Sequence, residues 1–206
     1  MIDLHCHIAF GMDDGASSLE QALEMTGLLA DVGYEVVAAT PHLPWGSFLV
    51  DARSVLSDVE ARCRSLEKAG CRVKLIPAAE HHSEIVPDLL AASGPLLLGS
   101  GRHFLMEFPL TGFPARMEDL LFRLKVKKLV AVIAHPERYP EIQYDFRSAG
   151  ELKKHGCKLL VNLSSLAGDW GRKIQKAAQR LVESGMADAV TTDLHHPNGI
   201  DSVIKG

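Results

Sequence analysis

Residues 17–42, SSLEQALEMTGLLADVGYEVVAATPH, hold a helix, its stop and a strand in one run. Ser17-Ser18-Leu19-Glu20 reads as a capping box, in which hydroxyl and acid side chains satisfy free N–H groups at a helix start. Leu19, Ala22, Leu23, Leu29 and Ala30 then fall close to helical spacing. Gly33 stands where a helix closes on left-handed backbone, and YEVVAATPH follows as an apolar strand.

The unit recurs along the chain. A helix carrying Val55, Val59 and Leu66 stops at Gly70 before CRVKLIPAAE. A helix around Met117, Leu120, Leu121 and Leu124 runs into KKLVAVIAH. Another, beginning near Asp145, stops at Gly156 before CKLLVNL; one through Ile174, Ala177, Ala178 and Leu181 stops at Gly185 before ADAVTTD. GRHFLMEFP is a strand preceded by an irregular stretch. With the apolar N-terminal segment this makes about seven strands. Continuous Val, Ile, Leu and Ala runs belong to strands buried on both faces, so the sheet is expected to be parallel and covered by helices. No G-x-G-x-x-G follows the first strand to favour a nucleotide fold. The expectation is an α/β fold, a (β/α)7 TIM-like barrel.

Composition narrows the function. The 206 residues, with no linker or low-complexity tract between them, suit one domain. A net charge of −4 disfavours a nucleic-acid surface, and no apolar run is long enough for membrane insertion. Cys6, Cys63, Cys71 and Cys157 form no C-x-x-C pair, as suits reduced thiols in a cytoplasmic protein. None has an arginine six positions later, which excludes the phosphate cradle of a thiolate phosphatase.

Chemistry gathers at the strand ends. The chain opens MIDLHCHIAFGMDDG, and in a strand His5 and His7 share one face. The first strand thus offers His5 and His7, with Asp14 in the loop behind; the second offers His42, the third Glu80, the fourth Glu107. The fifth offers His135 and the seventh Asp193 and His195, while the sixth ends at Asn162. In a β/α barrel these ends form one face, where active sites are built. Nine imidazoles and carboxylates crowded there are costly to bury without cations. A mixed set without cysteine suits manganese, iron or zinc rather than a structural thiolate site. Nine ligands exceed one ion's needs, so two or three divalent ions are expected.

HCH at 5–7, DDG at 13–15, TPH at 40–42, AAE at 78–80, MEF at 106–108, AHPERY at 134–139 and TDLHH at 192–196 together resemble the PHP superfamily. Within it the chain is most similar to the bacterial PHP-type protein-tyrosine phosphatases of the CpsB/YwqE kind, which regulate capsular and exopolysaccharide synthesis. The resemblance implies a distorted barrel, manganese before iron or zinc, and a single phosphatase domain over residues 1–206. It implies that His5, His7, Glu80 and Asp193 hold one metal, and that Glu80 bridges to a second held with Glu107 and His135. Asp14, His42 and His195 hold the third, with Asp13 the competitor for Asp14. Arg138 matches the arginine that contacts the phosphate and counts with His42 and His195 as catalytic; His81, His82, His103 and His196 are left as structural or rim residues. The implied reaction is attack of a metal-bridging hydroxide on phosphotyrosine, in the tail of a bacterial tyrosine kinase. A histidinol phosphatase and a catalytically weak metal-binding interaction module are the alternatives. The relatives carry a basic residue soon after the last metal motif, whereas HPNGIDSVIKG has no arginine and only Lys205. Only eleven residues follow His195, so the chain is expected to lack a C-terminal helical segment or to cover the gap by self-association.

Overall fold

In the computed structural model, which describes residues 1–43 and 51–206, the helix, glycine and strand unit repeats as expected. Ser18 rather than Ser17 caps the first helix, accepting from the Gln21 N–H at 3.3 Å. Gln21 accepts in return from the backbone and hydroxyl of Ser17 at 2.7 and 2.8 Å, so the box lies one residue further along. The predicted stops take left-handed backbone, Gly33 at φ 97° and Gly156 at φ 86° among them.

Strand β1 (Ile2–Cys6) leads to α1 (Leu19–Asp31), β2 (Val36–Ala39), α2 (Ala52–Lys68) and β3 (Lys74–Pro77). After β4 (Glu80–His82) come α3 (Val86–Ala91), β5 (His103–Glu107), α4 (Met117–Val126) and β6 (Val130–Ala134). The chain continues through α5 (Pro140–Tyr144), α6 (Arg147–Lys154), β7 (Lys158–Asn162), α7 (Leu163–Ala167), α8 (Arg172–Glu183), β8 (Ala189–Thr191) and α9 (Ile200–Lys205). The stretch before β5 thus holds a short helix, α3, that periodicity did not reveal.

All strand pairing among the described residues is parallel, in two sheets ordered β1-β2-β3 and β4-β5-β6-β7-β8. The segment read as one strand, residues 71–80, breaks at Ala78-Ala79 and serves one sheet with each half. Backbone bonds join the sheets at both seams. Leu43 N–H donates to Glu80 O at 2.8 Å and Glu80 N–H to Pro41 O at 3.0 Å. At the other seam His7 N–H donates to Leu194 O at 3.0 Å and Asp193 N–H to His5 O at 2.9 Å.

One apolar cluster packs α1 and α2 on the first sheet through Met25, Leu29, Val59 and Leu66. A second packs α4, α6 and α8 on the other through Leu121, Leu152 and Leu181. A smaller one lies on the opposite face of the second sheet, where Leu105, Val132 and Leu160 meet Leu4 of β1. Past β8 the chain makes a 3₁₀ turn at Pro197–Gly199, and α9 buries Val203 against the first cluster.

Asp3 fastens β1 to β8. Fully buried, its carboxyl accepts from the Thr191 and Thr192 hydroxyls at 2.5 and 2.6 Å and from Thr192 N–H at 3.2 Å. Burial raises its pKa, and these donors only partly offset the rise. Removing a shared acceptor leaves buried donors unpaired, each costing about 1–3 kcal/mol. Asp3→Ala is therefore expected to destabilise the fold by about 3 kcal/mol; an unchanged denaturant midpoint would refute this.

Candidate active site

Most of the sequence-predicted ligands lie at or just past a strand end, while Glu80 opens β4 and Asp14 stands in the loop after β1, and together they converge. His5 and His7, both buried, bring their Nε2 atoms to 3.1 Å of one another, as a shared strand face requires. Glu80, 1 % exposed, turns Oε2 to His5 Nε2 at 3.0 Å, His42 Nδ1 at 3.2 Å and His7 Nε2 at 3.5 Å. Its Oε1 faces His135 Nε2 at 3.2 Å. Glu107 completes that side, 3.4 Å from His42 and 3.8 Å from His135. Opposite, Asp193 Oδ1 lies 3.2 Å from His5 and 3.4 Å from His7. Asp14 Oδ1 stands 3.6 Å from the Nε2 atoms of both His42 and His195, and the His195 ring stacks on His7 with centroids 3.8 Å apart.

Three groups of donor atoms are close enough to share an ion: His7, Asp14, His42 and His195; His5, His7 and Asp193; and His42, Glu80 and Glu107. The chemistry fits divalent cations. Two imidazole nitrogens confronted at 3.1 Å cannot both donate, and Asp193 Oδ1 is buried with no hydrogen-bond donor among the described residues. A cation satisfies both conditions at once. The electrostatics agree. Burial opposes ionisation of Glu80 and Asp193, yet the surrounding imidazoles, His5 foremost, pull both carboxyls far below their ordinary range. Burial would also lower His7, but the carboxylates of Asp13, Asp193 and Glu80 raise it well above the usual value. His195 goes the other way, lowered by burial and by His7.

The structure separates Asp13 from Asp14. Asp13 Oδ2 accepts from His7 Nδ1 at 2.6 Å and from His42 N–H at 2.8 Å, and Oδ1 accepts from Gly15 N–H at 3.0 Å. Asp13 is thereby consumed in aiming His7, whereas the Asp14 side chain is 72 % exposed and faces the cluster. The Asp13 pKa falls to about 2 because the paired His7 outweighs burial. Gly15 is needed for this close turn: a Cβ there would meet His7 O at 2.3 Å.

Two supporting residues escaped sequence reasoning. Asn162, noted only as a strand end without a strong ligand, donates from Nδ2 to Asp193 Oδ2 at 2.6 Å. Glu137, fully buried, accepts from Asn162 N–H at 3.0 Å, and burial raises its pKa. Its position within HPERY was the available signal. Among the histidines set aside, His81 is structural. It is buried between Leu105 O at 2.7 Å and Leu96 N–H at 3.0 Å, and burial lowers its pKa to about 4. His196 lies on the rim of the cleft.

His135 and Asp193 take left-handed backbone, φ 35° and 51°, two of the three non-glycine residues that do so among those described. Such strain concentrates at functional sites. The 3₁₀ turn after His135, Pro136–Arg138, sets Arg138 at the cleft with its Nη1 3.9 Å from Asp193. The cleft, about 540 Å³, is lined by Asp14, His42, Glu80, Glu107, His135 and Arg138, together with Trp170, Asp193 and His195. No cysteine is among the described residues that line it. Burial drives the Cys63 and Cys157 thiols up to about 12, as inert core thiols.

Comparison with known proteins places this architecture. The family described as "Capsular polysaccharide synthesis, CpsB/CapC" matches residues 1–200. Tyrosine-protein phosphatase YwqE of Bacillus subtilis is 32 % identical over 198 residues, spanning 95 % of this chain and 78 % of its own. Tyrosine-protein phosphatase CpsB of Streptococcus agalactiae is 24 % identical over 203 residues, spanning 95 % of this chain and 83 % of its own. A crystal structure from the study of YwqE and of CpsB from Streptococcus pneumoniae, described as unique metal-dependent tyrosine phosphatases, superposes with a TM-score of 0.87. It is 31 % identical and covers 97 % of this chain and 81 % of that one. The fold is the one those metal-dependent tyrosine phosphatases share. The chain belongs to the CpsB/CapC family.

Asp13 is expected to act on metal affinity through His7, since carboxylates that orient ligating histidines commonly change affinity about 10–100-fold. Asp13→Ala should weaken divalent-metal binding by about that factor, read by competition with a chelating dye. Affinity equal to the parent's would return Asp13 to a merely structural role.

Proposed function

We propose that the cleft is the active centre of a metal-dependent protein-tyrosine phosphatase, in a single PHP-type domain over residues 1–206. The two sheets, bonded at both seams, form the walls of a distorted (β/α)7 barrel in which β3 and β4 together fill one strand position, with the site at its mouth. One observation carries the reading. Eight imidazoles and carboxylates meet around a buried ninth, Glu80, and Arg138 is the only lysine or arginine among the described residues lining the same cleft.

His5, His7, Glu80 and Asp193 would hold one ion, and Glu80 with Glu107 and His135 a second. Asp14, His42 and His195 would hold a third, on the open side of the cleft. Divalent ions, manganese first, supply an acidified water as nucleophile and positive charge opposite the phosphoryl oxygens. The protein does the rest. Arg138 offers N–H donors in a fork that matches phosphoryl oxygens. His42 and His195, the more exposed imidazoles, border the space where the ester enters. A phenolate leaves readily, its conjugate acid having a pKa of about 10, so an open cleft needs little help from a general acid. The substrate we assign is a phosphotyrosine-bearing tail of a bacterial tyrosine kinase that controls capsule or exopolysaccharide synthesis. We place the reaction in the cytoplasm; among the described residues no helix is long and apolar enough to cross a membrane.

The test pairs metal analysis of the purified protein with assays on a phosphotyrosine peptide and on histidinol phosphate. Metal-dependent turnover of the peptide is expected; turnover of histidinol phosphate alone would replace this reading with a small-molecule phosphatase. His5→Ala and Glu80→Ala should each abolish activity while the far-UV circular dichroism stays native, and near-parental turnover in either would overturn the site. Arg138→Ala should keep its metals yet lose about 10²–10³ in kcat, the usual cost of one electrostatic donor; unchanged kinetics would make Arg138 a solvated loop residue.

A further inference from the structure

Trp170 is half exposed, in a cleft whose other duties fall to polar groups. The Arg138 guanidinium carbon lies over its ring, 4.5 Å from the centroid. The indole is itself held, because Nε1 donates to Ser164 Oγ at 3.1 Å. The loop that presents it is tightly built. Gly168 (φ 95°) and Gly171 (φ 89°) bracket Asp169 and Trp170, and both Gly168 N–H and Asp169 N–H return to Ser164 O at 3.1 Å. Gln175 braces the turn from α8, its Nε2 donating to Leu166 O at 2.9 Å, so close that a Cβ on Gly168 would press on it at 3.0 Å. A loop so fixed determines where the indole face lies.

From this arrangement we infer that Trp170 is the positioning residue of Arg138. The inference rests on the role given to Arg138 under the proposed function and goes beyond it. A guanidinium has two faces and one forked edge, and only the edge donates hydrogen bonds. The indole covers one face, while Asp193 Oδ2 sits 3.9 Å from Nη1. With that face closed and a carboxylate beside Nη1, the plane is set before substrate arrives and the remaining N–H groups are left to meet phosphoryl oxygens. A free arginine side chain would have to give up rotamer freedom on binding. Stacking on a fixed indole removes that cost beforehand. As the cleft's only lysine or arginine among the described residues, Arg138 has no neighbouring cation to share the task.

A double-mutant cycle tests this on the metal-loaded full chain: parent, Arg138→Ala, Trp170→Ala and the double variant. The readouts are kcat and KM on a phosphotyrosine peptide and on an alkyl phosphate, and the calorimetric Kd for inorganic phosphate. Metal content and Tm identify any variant that fails to fold. Trp170→Ala is expected to lower kcat/KM about tenfold on both esters, with phosphate binding weakened in step. Trp170→Phe, which keeps an aromatic face, should recover most of that loss. In the Arg138→Ala background, removing Trp170 should change kcat/KM by less than about twofold. Equal losses in both backgrounds, or a loss confined to the aryl ester, would overturn the inference and make Trp170 a wall for the substrate ring. A slow Arg138→Ala protein beside a Trp170→Ala protein as fast as the parent overturns this inference alone. An Arg138→Ala protein as fast as the parent overturns the role of Arg138 and this inference with it.

Discussion

A buried carboxylate cannot stay ionised without compensation, and Glu80 is compensated from four sides. His5, His42, His135 and His7 approach it at 3.0, 3.2, 3.2 and 3.5 Å. Withdrawing one such charge from water costs several kcal/mol, so the strands that deliver the imidazoles are bound energetically to the residue they surround. Glu80 occupies its place because the third predicted strand does not continue. Pro77 ends β3, two alanines turn the chain, and β4 restarts at Glu80 in the other sheet. One seam between the sheets is thus also the centre of the site. The other seam, where β1 meets the chain after β8, supplies His7 and Asp193 beside its backbone bonds. Regular ladders alternate side chains rigidly between faces; at a seam that alternation is relaxed, and several ligands can aim at one point.

Around this centre two of the candidate ligands, His7 and Asp193, have a second anchor. Asp13 aims His7, Asn162 holds Asp193, and Glu137 holds the backbone of Asn162. The Asn162 contact opposes the local strain at Asp193, whose left-handed backbone persists only where the surroundings over-determine it. On the proposed reading rigidity is what a site for several ions needs, because a ligand misplaced by a fraction of an ångström forfeits both its bond and its neighbour's.

Much of this was legible in the sequence, for physical reasons. Glycine stops and apolar periodicity mark local backbone states, so most helices and strands fall where they are read. The convergence of His5, His7, Asp14, His42, Glu80, Glu107, His135, Asp193 and His195 follows from strand ends sharing one face, which topology guarantees once the strands are parallel. The break at Ala78-Ala79 was not legible, since two alanines fit a strand as well as a turn. The division of labour in DDG was not legible from the residues alone: Asp13 and Asp14 are chemically identical, and only the path of the loop fixed at Gly15 assigns one to His7 and the other to the open side of the cluster. Trp170 carried no signal, because an isolated tryptophan between two glycines reads as an ordinary loop.

On the proposed reading, the route to phosphate hydrolysis follows from where charge can be afforded. A thiolate mechanism needs a low-pKa cysteine at the cleft, whereas here burial raises the Cys6, Cys63 and Cys157 thiols. Carboxylates and imidazoles occupy the cleft instead, and a phosphate dianion approaching them bare would be repelled by Glu80, Glu107, Asp14 and Asp193. Arg138 carries one positive charge against those four carboxylates, so it cannot reverse the field alone. The same carboxylates that repel the substrate are what bind divalent cations, and each ion contributes two charges where the arginine contributes one. Ions therefore set the sign of the cleft, and Arg138, a directional donor among them, sets the orientation of what enters.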